Sequence, residues 1–263
     1  MDRIICVVGP TASGKTKLAV QLAKAYDGEV VSCDSMQIYK HMDIGTAKPT
    51  PEEMEGVPHH MIDCVEPGED FSVGKYVQLA DGCVQDILSR GKTAVIAGGT
   101  GLYVDSLIAG RTFAPVPQTG KREALEAQLR QEGGEAMLRK LRAVDPDAAA
   151  RLHPADEKRI IRALEVYEET GKTITQHNLE TQAIPPRYRP VWIGLDYLDR
   201  AVLYRRIDLR VDLMLQAGLL DEIRALLARG VSPRTTAMQA IGYKEMAAAL
   251  RGDGDVDLSL IHI

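Results

Sequence analysis

Two kinds of hydrophobic spacing alternate along the first part of the chain. Ile4-Ile5-Cys6-Val7-Val8 is a continuous apolar run stopped by Gly9-Pro10, and Glu29-Val30-Val31-Ser32-Cys33 and Thr93-Ala94-Val95-Ile96-Ala97 are similar runs. Short runs of this kind predict strands buried on both faces, as in a parallel sheet. Between them the spacing changes to three and four. Leu18, Ala19, Leu22 and Ala23 predict one face of a helix from Lys15 to near Tyr26. Val73, Tyr76, Val77, Ala80, Val84, Ile87 and Leu88 predict another, with Ser72 as N-cap and Gly91 as C-cap. Alternating strands and helices on short connections predict an α/β sheet wound with right-handed crossovers.

The pattern changes after Thr112, where Pro115 and Pro117 break the chain. From there to Pro185-Pro186 only helical spacing is found: Lys121–Gln131, Glu135–Arg142 and Asp156–Thr170, the last stopped by Gly171. Val191-Trp192-Ile193-Gly194-Leu195 predicts a return to the sheet, and three helical patterns punctuated by Gly218, Gly230 and Gly252 follow. The expected organisation is a core domain over 1–112 and 188–263 carrying an all-helical insertion domain over 113–187.

Composition adds mostly exclusions. The 263 residues are 45% hydrophobic and 26% charged with a net charge of -5, so any nucleic-acid site must be a local patch. Aromatics are only 5%, so the core is expected to be aliphatic. Cys6, Cys33, Cys64 and Cys83 form no C-x-x-C pair and are expected to be free thiols in a reducing compartment. No apolar run is long enough to span a bilayer, and Met1-Asp2-Arg3 runs directly into a strand without a signal-peptide pattern. The expectation is a cytoplasmic protein without membrane association.

Gly9-Pro10-Thr11-Ala12-Ser13-Gly14-Lys15-Thr16 fits G-x-x-x-x-G-K-[ST] between a predicted strand and a predicted helix. In such a loop, backbone N–H groups curl around phosphate oxygens and the helix N-terminus adds positive potential. Lys15 supplies a point charge for the terminal phosphate, and the Thr16 hydroxyl is placed to ligate Mg²⁺. The expected fold is therefore a P-loop NTPase-like parallel sheet flanked by helices. The Thr93–Ala97 strand, however, ends in Gly98-Gly99-Thr100 and not in the acidic residue with which NTPases hold their metal. Asp34 ends the second strand, at the edge where open α/β sheets bind ligands. There it can take a proton from a nucleophile attacking the P-loop ligand, or simply form a turn; spacing alone leaves both open. For His59-His60, lacking a third ligand, a structural role is expected over metal binding.

Seven segments carry a family resemblance: Gly9–Thr16, Asp34-Ser35-Met36-Gln37-Ile38-Tyr39, Asp43–Pro49, Val57–Asp63, Gly98-Gly99-Thr100-Gly101-Leu102-Tyr103, Arg159–Val166 and Gln239-Ala240-Ile241-Gly242-Tyr243. In this order, over nearly the whole chain, they resemble the tRNA dimethylallyltransferases, also called tRNA isopentenyltransferases. The resemblance implies transfer of a dimethylallyl group from dimethylallyl diphosphate to N6 of the adenosine beside the anticodon of tRNA. It implies that Gly9, Pro10, Thr11, Ala12, Ser13, Gly14, Lys15 and Thr16 hold the diphosphate, with Mg²⁺ as cofactor. Asp34 is implied as general base, Thr100 at the reacting centre and Arg210 on the diphosphate. The implied tRNA contacts are Asp34, Ser35, Met36, Gln37, Thr100, Lys158, Arg159, Ile160, Ile161, Arg162, Gln239, Gly242, Tyr243 and Lys244, with the target base flipped out of its stack. A monomer is expected.

Family members continue past the equivalent of Ser259-Leu260-Ile261-His262-Ile263 with a further helix and an Arg/Lys-rich segment, so the chain is expected to be truncated. Three rivals remain open: a small-molecule P-loop kinase, an adenylate isopentenyltransferase acting on a free nucleotide, and a non-catalytic RNA-binding protein.

Overall fold

The computed structural model of the protein describes residues 2–113 and 119–252. Pro115, Pro117 and the terminal stretch 259–263 lie outside them. The strands are β1 (Arg3–Val8), β2 (Gly28–Ser32), β3 (His59–His60), β4 (Thr93–Gly98) and β5 (Arg189–Gly194). The helices are α1 (Lys15–Ala25), α2 (Pro51–Met54), α3 (Val73–Ser89), α4 (Gly101–Ala109), α5 (Lys121–Val144), α6 (Pro146–Ala149), α7 (Glu157–Thr170), α8 (Ile174–Gln182), α9 (Arg200–Gln216), α10 (Leu219–Ala228) and α11 (Tyr243–Leu250). The chain divides into two compact units, one from Met1–Ile108 with Pro186–Ile263, the other Ala109–Pro185.

In the first unit the five strands form one parallel sheet in the order β3-β2-β4-β1-β5. Both faces of the central strands are apolar, as the continuous hydrophobic runs predict. Val7, Val30 and Val95 meet Ala19, Val20 and Ala23 of α1 on one face. Ile4, Cys6, Val31, Ala94 and Ile96 meet Tyr76, Ala80, Val84 and Ile87 of α3 on the other. Ser72 caps α3 through its hydroxyl, which accepts from the Lys75 N–H. The Tyr76 ring stacks on Tyr103 of α4 at 4.1 Å, and its hydroxyl donates to the Ser32 carbonyl at 3.0 Å. Register sets the level of the strand exits: Val8 stands opposite Gly98, and Ser32 opposite Ala97. The loops leaving β1, β2 and β4 therefore emerge side by side. Because β4 lies between β1 and β2, those two loops diverge around it, which opens a crevice at the carboxyl edge.

The second unit is helical throughout its described residues. Leu125, Met137, Leu138 and Leu141 of α5 pack against Ile160, Ile161, Ala163 and Leu164 of α7. The two helices predicted over 121–142 are present within α5 and are separated at Gly133, whose φ of 78° and ψ of 166° leave the helical region. Gly171 ends α7 in the left-handed conformation, as its position predicts. The buried Glu165 carboxylate is bonded by Arg162 at 2.8 Å and Arg122 at 3.3 Å.

The short helix α2, helix α4 and strand β3 of the sheet unit escape the periodicity reading. Helix α4 buries Tyr103, Val104, Ser106, Leu107 and Ile108, so it shows no one-sided stripe. Strand β3 is only two residues long. No helix among the described residues is long and apolar enough to cross a membrane.

Candidate active site

The P-loop leaves β1 at Gly9 and turns into α1 at Gly14. Ala12 holds a φ of 61°, a left-handed conformation that costs a side-chain-bearing residue energy and persists where the surroundings enforce it. Its carbonyl is fixed by Tyr197, whose hydroxyl donates at 2.6 Å, and by Arg206 Nε at 2.9 Å. Lys15 Nζ folds back to the Pro10 carbonyl at 2.6 Å. The Ser13 hydroxyl is buried without a hydrogen-bond partner, an orphan that a bound oxyanion would satisfy.

Asp34 leaves β2 at the neighbouring exit. Its Oδ1 accepts from the Met36 N–H at 2.8 Å and the Gln37 N–H at 3.4 Å, so it does form a turn. Its second oxygen accepts no hydrogen bond from any described residue, so the turn leaves half of the carboxylate available. Burial lowers the Lys15 ammonium below its ordinary range, the nearby Asp34 charge opposes that, and Arg210 adds to it. Arg210 is likewise lowered by burial and raised by Asp34 and Glu53. Two cations and one carboxylate thus share a poorly hydrated space, which favours arrival of an anion.

Gly98 ends β4 where a Cβ would collide with the Cys33 backbone, so only glycine lets the two strand exits approach this closely. That approach brings Thr100 to Asp34's neighbour: Thr100 Oγ1 accepts from the Ser35 N–H at 3.0 Å and donates to Ser35 Oγ at 3.3 Å. A cleft of about 700 Å³ joins Thr11–Lys17, Asp34, Gly98-Gly99 and, from α9, Arg206, Leu209, Arg210 and Leu213. Ile44, Ala47 and Lys48 line it as well.

Of the residues singled out from sequence, the P-loop, Asp34, Ser35, Thr100 and Arg210 are gathered at this edge. Gln37 lines the cleft, but its side chain is engaged internally: Nε2 donates to the Thr46 and Ala47 carbonyls at 3.3 and 3.1 Å, and Oε1 accepts from Ser32 at 3.0 Å. Met36 is partly buried against the main core. Lys158, Arg159 and Arg162 lie on α7 of the helical unit, the first two exposed. Gln239 and Lys244 are exposed in the sheet unit.

Four of the expected tRNA contacts lie at buried positions. Ile160 and Ile161 are fully buried in the helical core, where the apolar stripe of α7 places them. Tyr243 is fully buried too, its hydroxyl donating to Glu222 at 2.5 Å, and Gly242 is buried beside it. None of these side chains or backbones presents a surface to RNA. Sequence reasoning missed Arg206, although its spacing of four from Arg210 places both on one face of α9. It also missed Glu53 on the cleft wall.

The residues fit a divalent cation of the Mg²⁺ kind. No three acidic, His or Cys side chains cluster among the described residues, so the protein offers no cage of its own. The Thr16 hydroxyl on the cleft wall would supply a neutral protein oxygen to a divalent cation that neutralises a bound diphosphate. His59 and His60 are structural: Nδ1 of His59 pairs with the Val57 carbonyl and Nε2 of His60 with Glu29.

Fold and site together define a P-loop α/β protein with an available carboxylate beside the loop. The chain belongs to the IPP transferase family, whose model matches residues 37–261; the isopentenyl transferase model matches residues 2–65. It is 48% identical over 258 residues to the tRNA dimethylallyltransferase of Acetivibrio thermocellus, covering 98% of this chain and 82% of that one. The Roseiflexus castenholzii tRNA dimethylallyltransferase is 48% identical over 253 residues, covering 96% and 81%. Among solved structures, the full-length tRNA isopentenylpyrophosphate transferase of Bacillus halodurans superposes with a TM-score of 0.72 at 43% identity, covering 100% and 82%. A eukaryotic dimethylallyltransferase acting on tRNA gives 0.84 at 31% identity, covering 99% and 66%.

Proposed function

We propose that the protein transfers a dimethylallyl group from dimethylallyl diphosphate to N6 of the adenosine beside the anticodon of tRNA, releasing diphosphate. The observation that carries this reading is the pairing, in one cleft, of a P-loop lysine with a carboxylate whose second oxygen has no partner among the described residues. Relatives across most of the chain are named tRNA dimethylallyltransferases. In the reaction the carbon–oxygen bond to diphosphate breaks and a carbon–nitrogen bond to N6 forms. Lys15, Arg210 and the N–H groups of Gly9–Thr16 bear the charge that grows on the departing diphosphate. Asp34 takes the proton from N6, and the Thr100 hydroxyl borders the reacting centre through Ser35. Mg²⁺ held at Thr16 supplies further neutralisation of the diphosphate when bound.

Ser35 and Gln37 border the acceptor base, Gln37 by holding the loop and not by reading the base edge. Lys158, Arg159 and Arg162 on the helical unit, and Gln239 and Lys244 on the other, meet RNA phosphates and sugars. The protein works as a monomer in the cytoplasm, and four free thiols suit that reducing compartment.

The deciding assay offers labelled dimethylallyl diphosphate with tRNA, with AMP, or without acceptor. Label enters tRNA alone. Label in AMP would replace this reading by the adenylate isopentenyltransferase, and ATP turnover without prenyl transfer by the kinase.

A further inference from the structure

Far along the chain from the cleft, Glu222 of α10 sends its carboxylate to a loop that lines it. Three consecutive backbone N–H groups converge there: Asp43 at 2.7 Å and Ile44 at 2.8 Å on Oε2, and Gly45 at 3.2 Å on Oε1. Successive N–H groups pointing into one concavity form a nest that ordinarily receives an anion from outside. Here the protein fills the nest with its own carboxylate. Oε1 also accepts from the Tyr243 hydroxyl at 2.5 Å. Burial, and next the Glu222 carboxylate, raise the Tyr243 phenol far above its ordinary value, so it remains a neutral donor. The fit is close: a Cβ on Gly45 would lie 2.5 Å from the Tyr243 ring.

The loop so anchored leads to the site through hydrogen bonds. Just past the nest, the Thr46 and Ala47 carbonyls hold the Gln37 side-chain amide, which also accepts from Ser32 at the end of β2. The Gln37 and Met36 N–H groups hold Asp34 Oδ1. Every link from Glu222 to Asp34 is a hydrogen bond or one short stretch of backbone.

We propose that Glu222, together with Tyr243, is a positioning residue that fixes the Asp43–Ala47 loop and, through Gln37, the orientation of the Asp34 carboxylate in the cleft. Its catalytic meaning rests on the function proposed above; its structural meaning does not. A side chain outside the cleft thereby controls the residue that takes the proton. Diphosphate binding, held by the P-loop and Arg210, is independent of it.

Glu222→Gln tests this, because an amide keeps the size but offers one acceptor oxygen to four donors. Backbone amide exchange is read by NMR in the whole protein. Protection falls at Asp43–Gly45 and also, by about tenfold, at Met36 and Gln37. Loss confined to Asp43–Gly45 would overturn the relay. In turnover, kcat drops about tenfold while the KM for dimethylallyl diphosphate stays within about threefold, and the acid limb of kcat against pH moves. An unchanged kcat and acid limb in a folded variant would make Glu222 a merely structural anchor. Tyr243→Phe removes one donor and lowers Met36 and Gln37 protection by about threefold; if Glu222→Gln does not fold, unchanged protection in Tyr243→Phe decides against the proposal. The exchange readout needs no turnover, so a wild-type protein that failed to prenylate tRNA would refute the proposed function while the relay was still measured.

Discussion

Glu29 and Asp34 stand at the two ends of β2, and the protein treats their carboxylates in opposite ways. Glu29, buried at the start of the strand, is saturated: Arg90 bonds both oxygens at 2.5 and 2.8 Å, His60 adds a bond at 2.8 Å, and Lys92 lies 3.3 Å away. Asp34, past the other end, spends one oxygen on a turn and leaves the other without a partner among the described residues. A buried carboxylate with every lone pair engaged is a structural pin. One left half-engaged beside two desolvated cations keeps an oxygen open to a ligand. The carboxyl edge of the sheet carries the P-loop, Thr100 and the cleft, whereas the start of β2 is closed by ion pairs.

The strongest way to break this comparison is Asp34→Asn. Asparagine keeps an Oδ1 that accepts from Met36 and Gln37, so the turn survives and the melting temperature stays close to that of the wild type. If Asp34 is the general base, prenyl transfer to tRNA falls about 10³-fold, within the usual range for removing one. A folded variant that retained most of its activity would reduce Asp34 to a turn former.

The mirror experiment is Glu29→Ala. It leaves Arg90 without its main partner and costs about 3 kcal/mol of stability, the lower end for breaking a buried pair because Arg90 can reach water. Activity per folded molecule is unchanged. The effect carries a pH signature. Hydrogen bonding by Arg90, and then by His60 and Lys92, holds the Glu29 carboxyl well below the ordinary carboxylate range. A lowered folded-state value stabilises the fold above the unfolded pKa of about 4.3 and loses that contribution as pH falls. Urea unfolding at pH 7 and at about pH 4 therefore shows a smaller gap between wild type and variant in acid. A gap that stayed constant would mean that charge is not what Glu29 contributes.

How much of this was legible in the sequence depends on how local each feature is. The P-loop lies within one strand–turn–helix, so its residues announce it, and the apolar runs placed β1, β2 and β4 correctly. The turn-or-base question at Asp34 was undecidable from spacing because one oxygen of the side chain forms the turn while the other accepts no hydrogen bond from a described residue. Ile160 and Ile161 were legible as core by their apolar spacing in α7; the family resemblance, read as an unbroken stretch, carried them onto the RNA side. Tyr243 and Glu222 were illegible for the opposite reason. Glu222 accepts from backbone groups at Asp43–Gly45 and from the Tyr243 hydroxyl, and no residue pattern marks a carboxylate that will fill a nest formed so far away in the chain.

The smallest expected effect extends the contrast between engaged and available charge to the helical unit. On α7, Arg162 is held by the buried Glu165, Arg159 makes only a 3.9 Å approach to Asp156, and Lys158 is exposed. If these cations meet RNA phosphates, Lys158→Ala with Arg159→Ala weakens tRNA binding by about tenfold, and each lost contact flattens the dependence of log affinity on log salt by about 0.7 to 0.9. The affinity for dimethylallyl diphosphate is unchanged. Ile160→Ala behaves differently, costing about 2–5 kcal/mol of stability through a core cavity and leaving the salt slope of the folded protein intact. An unaltered slope in the double variant would remove this face of α7 from the tRNA path, and the search for phosphate contacts would move to Gln239 and Lys244.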